Sequence, residues 1–311
     1  MEPTSLEPVT YIVSVLWALC AGGLAWYAAV IARQMTYVTL ADGRRQQRSL
    51  PMLIRLVLPL APTFAPLFDR PAFRRTREKT AGELVSAGFD GLLSDGEFMA
   101  LRILMPGIYG VFWCGLVFMA MRSVPDDSFM RRMQMLFHLA GLLWFAAYPG
   151  LWLHRSLQAR HRSIQKSLPF ILDLLTLSVE AGMDFMSALQ RCVERRQVDA
   201  LGEELIRVIR GIQLGKTRRD ALREMSQRVN LPSLRSVVHA LIQADELGVS
   251  VGYILRIQSD QIRLRRFERA EKLANEAPVK MLFPLMFFIF PAVFLILLGP
   301  VIYRLLSQGL F

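Results

Sequence analysis

Cysteine and charge are both scarce in this sequence. Three cysteines in 311 residues exclude a disulfide-rich secreted protein. Charged residues make up 20% of the chain and hydrophobic residues 53%, which excludes intrinsic disorder. The histidines show no metal-ligand spacing, and no Ser/His/Asp or Cys/His constellation is visible. The sequence therefore predicts no catalytic residue, no cofactor-binding residue and no metal site.

Four long stretches lack charge altogether: residues 8–32, 103–121, 133–154 and 281–303. A helix needs roughly 20 apolar residues to cross a bilayer, so each stretch is long enough to span it. We predict four transmembrane helices at residues 9–32, 103–121, 133–153 and 281–303. The first has an acidic flank, with Glu2 and Glu7 and no Lys or Arg, so we interpret it as a retained anchor and not as a signal peptide.

The net charge of +11 is distributed unevenly along the chain. Residues 33–102 and 154–280 hold 33 of the 37 Lys and Arg, which predicts that both pieces are cytoplasmic. The tails 1–8 and 304–311 and the short loop 122–132 then lie on the opposite side of the membrane. Because membrane topology accounts for most of the basic excess, nucleic-acid binding is not predicted.

Residues 50–68 are apolar but contain Arg55 and four prolines. Proline breaks helices, so a segment lying in the cytoplasmic membrane interface fits better than a fifth span. A fifth span would also place the 22 basic residues of 154–280 outside.

The piece 154–280 contains three octets that begin with glycine at intervals of 33 residues. In each, Asp, Thr or Ser follows two residues later, and Ala-Leu or Ile-Leu ends the octet. Glycine ends one helix in the left-handed conformation, and the hydroxyl or carboxylate caps the next helix. The flanking helical periodicity then predicts three hairpins, an all-α bundle of six helices. The predicted joints are Gly182 with Asp184, Gly215 with Thr217, and Gly248 with Ser250.

Several motifs occur in an order that resembles the type II secretion F-domain family. They are Leu168-Pro169, Val179–Gly182, Gly202–Leu205, Glu246–Gly248, Arg263–Arg266 and Ala277–Leu285. The sequence contains one such domain and in this respect resembles the TadC-type platform proteins of tight-adherence (Tad, type IVc) pili. Upstream, Leu84–Gly88 resembles a short helical segment of the same group.

The resemblance implies a multi-pass protein of the bacterial inner membrane, with both termini in the periplasm. It implies a non-enzymatic scaffold that couples a cytoplasmic secretion ATPase to the assembly of pilin subunits. A sibling platform protein or further copies of the chain are expected partners, together with membrane lipid. The alternative function is a multi-pass transporter or membrane enzyme, but transporters mark their path with ionisable residues inside the spans, which are nearly absent here.

The segment Gly211–Thr217 resembles a phosphate-binding loop but has three residues between its glycines where that loop has four. It also coincides with the second predicted joint, so we interpret it as structural and expect no ATP hydrolysis by the isolated protein.

Glu180 and Glu246 each lie two residues before a joint glycine, where a carboxylate opposes the helix dipole. Such a placement indicates a partner, which is either an internal arginine or another protein, so both residues are candidates for a partner interface. Four further candidates form a basic run ahead of the last span. This run would contact either anionic lipid or the ATPase. The four candidates are Arg263, Arg265, Arg266 and Arg269.

Overall fold

The computed structural model describes residue 23 and residues 37–39, 45–47, 50–68, 71–121, 129–194 and 199–307. The predicted span 9–32, Gly23 apart, lies outside these residues, as do the tail 1–8 and most of the loop 122–132. Tyr37–Thr39 (β1) pairs with Arg45–Gln47 (β2) as a short antiparallel hairpin, with Val38 opposite Gln46. The described part of the chain is otherwise all-α.

Nine helices of ten or more residues form the described part of the fold. They are α1 (Arg74–Ala87), α2 (Asp95–Met121), α3 (Gln134–Glu180), α4 (Phe185–Glu194), α5 (Ala200–Gln213), α6 (Arg218–Val229), α7 (Pro232–Leu247), α8 (Val251–Pro284) and α9 (Phe290–Ser307). Shorter helical turns occupy Met52–Val57, Leu58–Leu60, Ala61–Phe64, Ala65–Phe68, Pro71–Phe73 and Phe129–Arg132. A π-helical turn, Leu285–Ile289, joins α8 to α9 without a break.

Three helical stretches are apolar and long enough to cross a membrane: Asp95–Met121, Gln134–Glu180 and Val251–Arg304. They contain the predicted spans 103–121 and 281–303 and all of the predicted span 133–153 except residue 133, so the chain is a membrane protein with apolar helices. The predicted boundary at 153/154 is not marked by a loop, because α3 runs for 47 residues through it. The apolar part of Val251–Arg304 is not buried against any other described residue.

The buried apolar side chains form two separate cores. The larger core lies among α3 to α8 and extends from Ile164 to Ile262. Residues 154–284 supply six helical segments to this region, with the three joint glycines between them. The smaller core joins residues 50–68, the end of α1, the first half of α2 and Leu153 of α3.

The apolar segment 50–68 forms part of this smaller core. Ile54, Val57 and Ala61 are fully or almost fully buried, and the Tyr109 hydroxyl of α2 donates to the Leu53 carbonyl at 3.0 Å. The segment is a series of short α and 3₁₀ turns, because its prolines interrupt helical hydrogen bonding. This protein-facing side differs from the expectation of a segment that contacts only the membrane interface, because the partners in α2 and at Leu153 are distant in sequence.

Candidate functional site

The three joint glycines all have left-handed backbone conformations. The φ angles are 89° at Gly182, 97° at Gly215 and 68° at Gly248. At each joint, the N–H of the residue after the glycine donates to the carbonyl five residues earlier, at 3.0 Å. This hydrogen bond closes the end of the helix and turns the chain into the next one.

The capping residues of the three joints behave differently from one another. The Asp184 carboxylate accepts from the Met186 N–H at 2.9 Å, and the Thr217 hydroxyl accepts from the Asp220 N–H at 3.1 Å. Ser250 precedes α8 but makes no side-chain cap hydrogen bond, so the predicted capping role of Ser250 is wrong. Its residue type fits the pattern, but its side chain does not reach the free N–H groups.

The segment Gly211–Thr217 is the end of α5 followed by the cap of α6. The Lys216 ammonium contacts the Glu224 carboxylate at 2.6 Å. The lysine that a phosphate loop would direct at its ligand is thus held by a carboxylate on the neighbouring helix. Within the described residues, no group of three His, Cys, Asp or Glu side chains lies close enough to hold a metal ion.

Glu180 and Glu246 both have an arginine partner within the chain. Arg256 contacts Glu180 at 2.9 Å, and Arg219 lies 3.7 Å from Glu246. Both carboxylates remain partly exposed, with 35% and 49% of their side-chain surface accessible. The internal ion pairs account for the acidic positions at the helix ends, and the exposed fractions leave both side chains accessible to a partner.

Arg263 is the first residue of the basic run and binds α3. Its guanidinium donates to Asp173 at 2.7 Å, and the Ser259 hydroxyl donates to the other oxygen of the same carboxylate. Burial raises the pKa of Asp173, but these hydrogen bonds and the Arg263 charge outweigh burial, so the pKa lies below its ordinary value. The pair connects α8 to α3.

The Arg266 side chain binds backbone carbonyls of α3. It donates to the Gln165 carbonyl at 2.5 Å and to the Lys166 carbonyl at 3.2 Å. The nearby Pro169 explains why the first of these carbonyls is free: proline has no N–H, so the usual donor to residue 165 is missing. Arg265 and Arg269 have no such contact with the residues that the structure describes, and both line a cleft between α3 and α8.

A buried ion network lies between the two apolar cores, and the sequence did not reveal it. Arg160 of α3 follows Leu153 of the smaller core and precedes Ile164 of the larger one. Its guanidinium donates to Glu203 at 2.8 Å and to Glu204 at 3.0 Å. The exposed side-chain fractions of the three residues are 3%, 2% and 1%.

Other contacts extend this network to α1 and α6. Arg228, at the end of α6, donates to Glu204 at 2.8 Å. The Arg228 carbonyl accepts from the Ser86 hydroxyl of α1 at 2.9 Å. Gly88, at the end of α1, passes so close that a Cβ there would lie 2.5 Å from Arg160 Nη1. The network therefore joins the helix that precedes α2 to the six-segment region.

The arrangement provides ion pairs, helix joints and apolar helices that continue into the membrane. Residues 171–299 match the family model described as Type II secretion system (T2SS), protein F. The match begins near the end of α3, runs through α8 into α9, and covers the joint glycines, Glu203, Glu204 and the basic run. No curated protein and no solved structure matches the chain.

Proposed function

Because the chain contains a T2SS protein F domain attached to apolar helices, we propose that it is a platform protein of a Tad (type IVc) pilus or a related secretion machine. In this function it resides in the inner membrane and couples a cytoplasmic secretion ATPase to the assembly of pilin subunits. Its partners are the ATPase, pilin subunits, membrane lipid, and a sibling platform protein or further copies of the chain. Both termini lie in the periplasm, and residues 154–280 lie in the cytoplasm.

The observation that carries this proposal is the family match over residues 171–299. Platform proteins of this family are scaffolds that perform no covalent chemistry, and the family is associated with secretion ATPase machinery. The preference for the Tad type rests on the presence of a single F-type domain and on the motif order given above.

The helices favour a role in transmitting motion. α3 and the continuous α8–α9 helix both extend from the F domain into apolar stretches, without an intervening loop. The Arg160 network connects the same domain to α1, which leads into α2. A displacement of the domain is thereby transmitted to all three described candidate spans.

Site-specific crosslinking in the native host tests the proposal. A photoreactive residue is placed at Glu180 or Glu246 of the tagged full-length protein, and the captured proteins are identified under conditions in which pili form. A photoreactive residue at Asp126, in the loop predicted to be periplasmic, is the matched control.

We expect a secretion ATPase to be captured from positions 180 and 246 and not from position 126. Deletion of the chain should abolish pili, and the wild-type sequence should restore them. Normal pili in the deletion strain, or capture of neither an ATPase nor a pilus component, would contradict the proposal and favour the transporter alternative.

A further inference from the structure

A cleft of about 390 Å³ lies between α3, the start of α7 and α8. Its lining includes five basic side chains and no Asp or Glu. The basic residues are Arg162, Lys166, Arg265, Arg266 and Arg269. The cleft is within the size range of ligand sites, and its charge has one sign.

Most of this charge is not compensated within the described part of the chain. The preceding arginines of α8 are paired: Arg256 with Glu180, and Arg263 with Asp173. In the cleft, Arg266 donates to backbone carbonyls. For the other four cations, the described residues supply no carboxylate within 4.0 Å. Like charges held together in this way repel one another, and an anion bound between them would remove that repulsion.

The distance from the membrane decides against lipid headgroups. Arg162 follows Leu153 by nine residues, which is about 14 Å along a helix, and Arg269 precedes Met281 by twelve, which is about 18 Å. The headgroup layer extends only about 5 to 8 Å beyond the hydrocarbon. Screening over about 8 Å weakens attraction across the remaining distance.

The shape and lining of the cleft favour carboxylates on a peptide. No aromatic side chain lines the cleft, so it offers no surface on which a nucleotide base could stack. Arg162 and Lys166 are spaced one helical turn apart on α3, and Arg265 and Arg269 are spaced in the same way on α8. Two carboxylates about 6 Å apart would each find cations from both helices, and guanidinium groups bind carboxylates with two parallel hydrogen bonds.

We propose that this cleft is the docking site for an acidic segment of a cytoplasmic protein partner. The inference rests on the proposed function only in placing the cleft in the cytoplasm. The positive charge and the spacing of the basic residues are properties of the cleft itself. The exposed arginines of α8 thereby divide into two sets: Arg256, Arg263 and Arg266 connect α8 to α3, and Arg265 and Arg269 bind the partner.

The test measures binding of a fluorescein-labelled hexaglutamate peptide to the full-length protein in uncharged detergent micelles. Fluorescence anisotropy is recorded at 50 and 200 mM salt, where the Debye length is about 14 Å and about 7 Å. The cleft variant carries Arg162→Gln, Arg265→Gln and Arg269→Gln. The matched control carries Arg191→Gln, Arg210→Gln and Arg223→Gln, which remove the same charge from residues that do not line the cleft. Circular dichroism confirms that both variants are folded.

We expect the cleft variant to bind the peptide at least tenfold more weakly than the wild type at low salt, with a smaller salt dependence. The control should change affinity less than twofold. Equal losses in both variants, or unchanged binding in the cleft variant, would overturn the proposal.

Inorganic pyrophosphate and vesicles containing phosphatidylglycerol are tested in parallel with the same variants. If either binds in a cleft-dependent manner while the peptide does not, the cleft recognises phosphate groups, and the acidic-segment assignment is wrong. These assays use no ATPase and no pili. A failure here is therefore distinguishable from a failure of the crosslinking experiment.

Discussion

Replacing Arg160 by Met tests whether the buried ion network holds the helical domain of residues 154–284 together. The substitution keeps a long apolar side chain but removes the guanidinium that Glu203 and Glu204 both contact. Both carboxylates expose 2% or less of their side-chain surface, so water cannot replace the lost partner without opening the structure. Removing one partner of a buried ion pair typically costs about 3–5 kcal/mol. We expect Arg160→Met to destabilise the domain by about that amount.

The buried thiol of Cys192 reports this loss. Cys192 lies in the larger core and is 5% exposed, so a thiol reagent modifies it only after the domain opens. In a background with Cys20→Ala and Cys114→Ala, the labelling rate follows the population of the open state. A cost of about 3–5 kcal/mol raises this rate about a hundredfold to several thousandfold. The urea dependence of labelling shows whether the opening exposes the whole domain or a single helix.

Two further variants separate the ion pairs from simple packing. Arg160→Met combined with Glu203→Gln and Glu204→Gln also removes the two buried negative charges that lose the Arg160 guanidinium, so it should label more slowly than Arg160→Met alone. Arg160→Lys keeps the charge but cannot donate to both carboxylates in the same geometry, so its labelling rate should lie between those of the wild type and Arg160→Met. A change of less than threefold in Arg160→Met, or equal rates for the single and triple variants, would refute the reasoning.

Three other substitutions follow from the same contacts. Gly88→Ala and Gly91→Ala start from φ angles of 81° and 80°, but only the first Cβ meets a buried guanidinium, so thiol labelling should show Gly88→Ala to be the more destabilised; equal effects would contradict this. The lowered pKa of Asp173 adds stability above an unfolded-state pKa of about 3.9, which is lost as the pH falls through the lower folded-state pKa. Asp173→Asn should therefore reduce the loss of unfolding free energy at acid pH by no more than about 1 kcal/mol, because the Asp173 side chain is 33% exposed; an unchanged dependence of the unfolding free energy on pH would count against the pairing. Thr217→Ala should cost about 1 kcal/mol in urea unfolding and Ser250→Ala clearly less, because only the first hydroxyl caps a helix; equal costs would show that the difference in capping is immaterial.

The positions of the helix joints could be predicted from the sequence because their signal is local. Glycine, a capping residue and an apolar pair recur within eight residues, and the three glycines have the positive φ that such a joint requires. The failure at Ser250 shows the limit of this reasoning. Residue type permits a cap, but the rotamer and the local backbone decide whether the hydrogen bond forms.

The ion network could not be assembled from the sequence, because the two residues of each of its ion pairs with Arg160 and Arg228 are 24 to 44 positions apart along the chain. One signal was present, however. Glu204 follows the buried Leu201 by three residues and precedes the buried Val208 by four, so it lies on the apolar face of α5. A carboxylate at such a position needs a buried cation, although helical periodicity does not say which one.

The packing of residues 50–68 against other parts of the protein could not be predicted from the sequence for a similar reason. The four prolines coincide with a series of short α and 3₁₀ turns. The packing partners, in α2 and at Leu153, are distant in sequence, and nothing local in the segment identifies them.

The uninterrupted course of α3 makes this helix a lever that joins the helical domain of residues 154–284 to an apolar candidate span. Its 47 residues measure about 70 Å, and the part beyond residue 153 measures about 40 Å. If the helix pivots as a rigid rod at residue 153, a tilt of about 10° moves its far end by roughly 7 Å, since 40 Å is the length of the arm. The 20 residues from Gln134 to Leu153 form the other arm of this lever, about 30 Å long. A 7 Å displacement at Glu180 would then move Gln134 by about 5 Å in the opposite direction, so motion of one end of α3 reaches the apolar end with little loss.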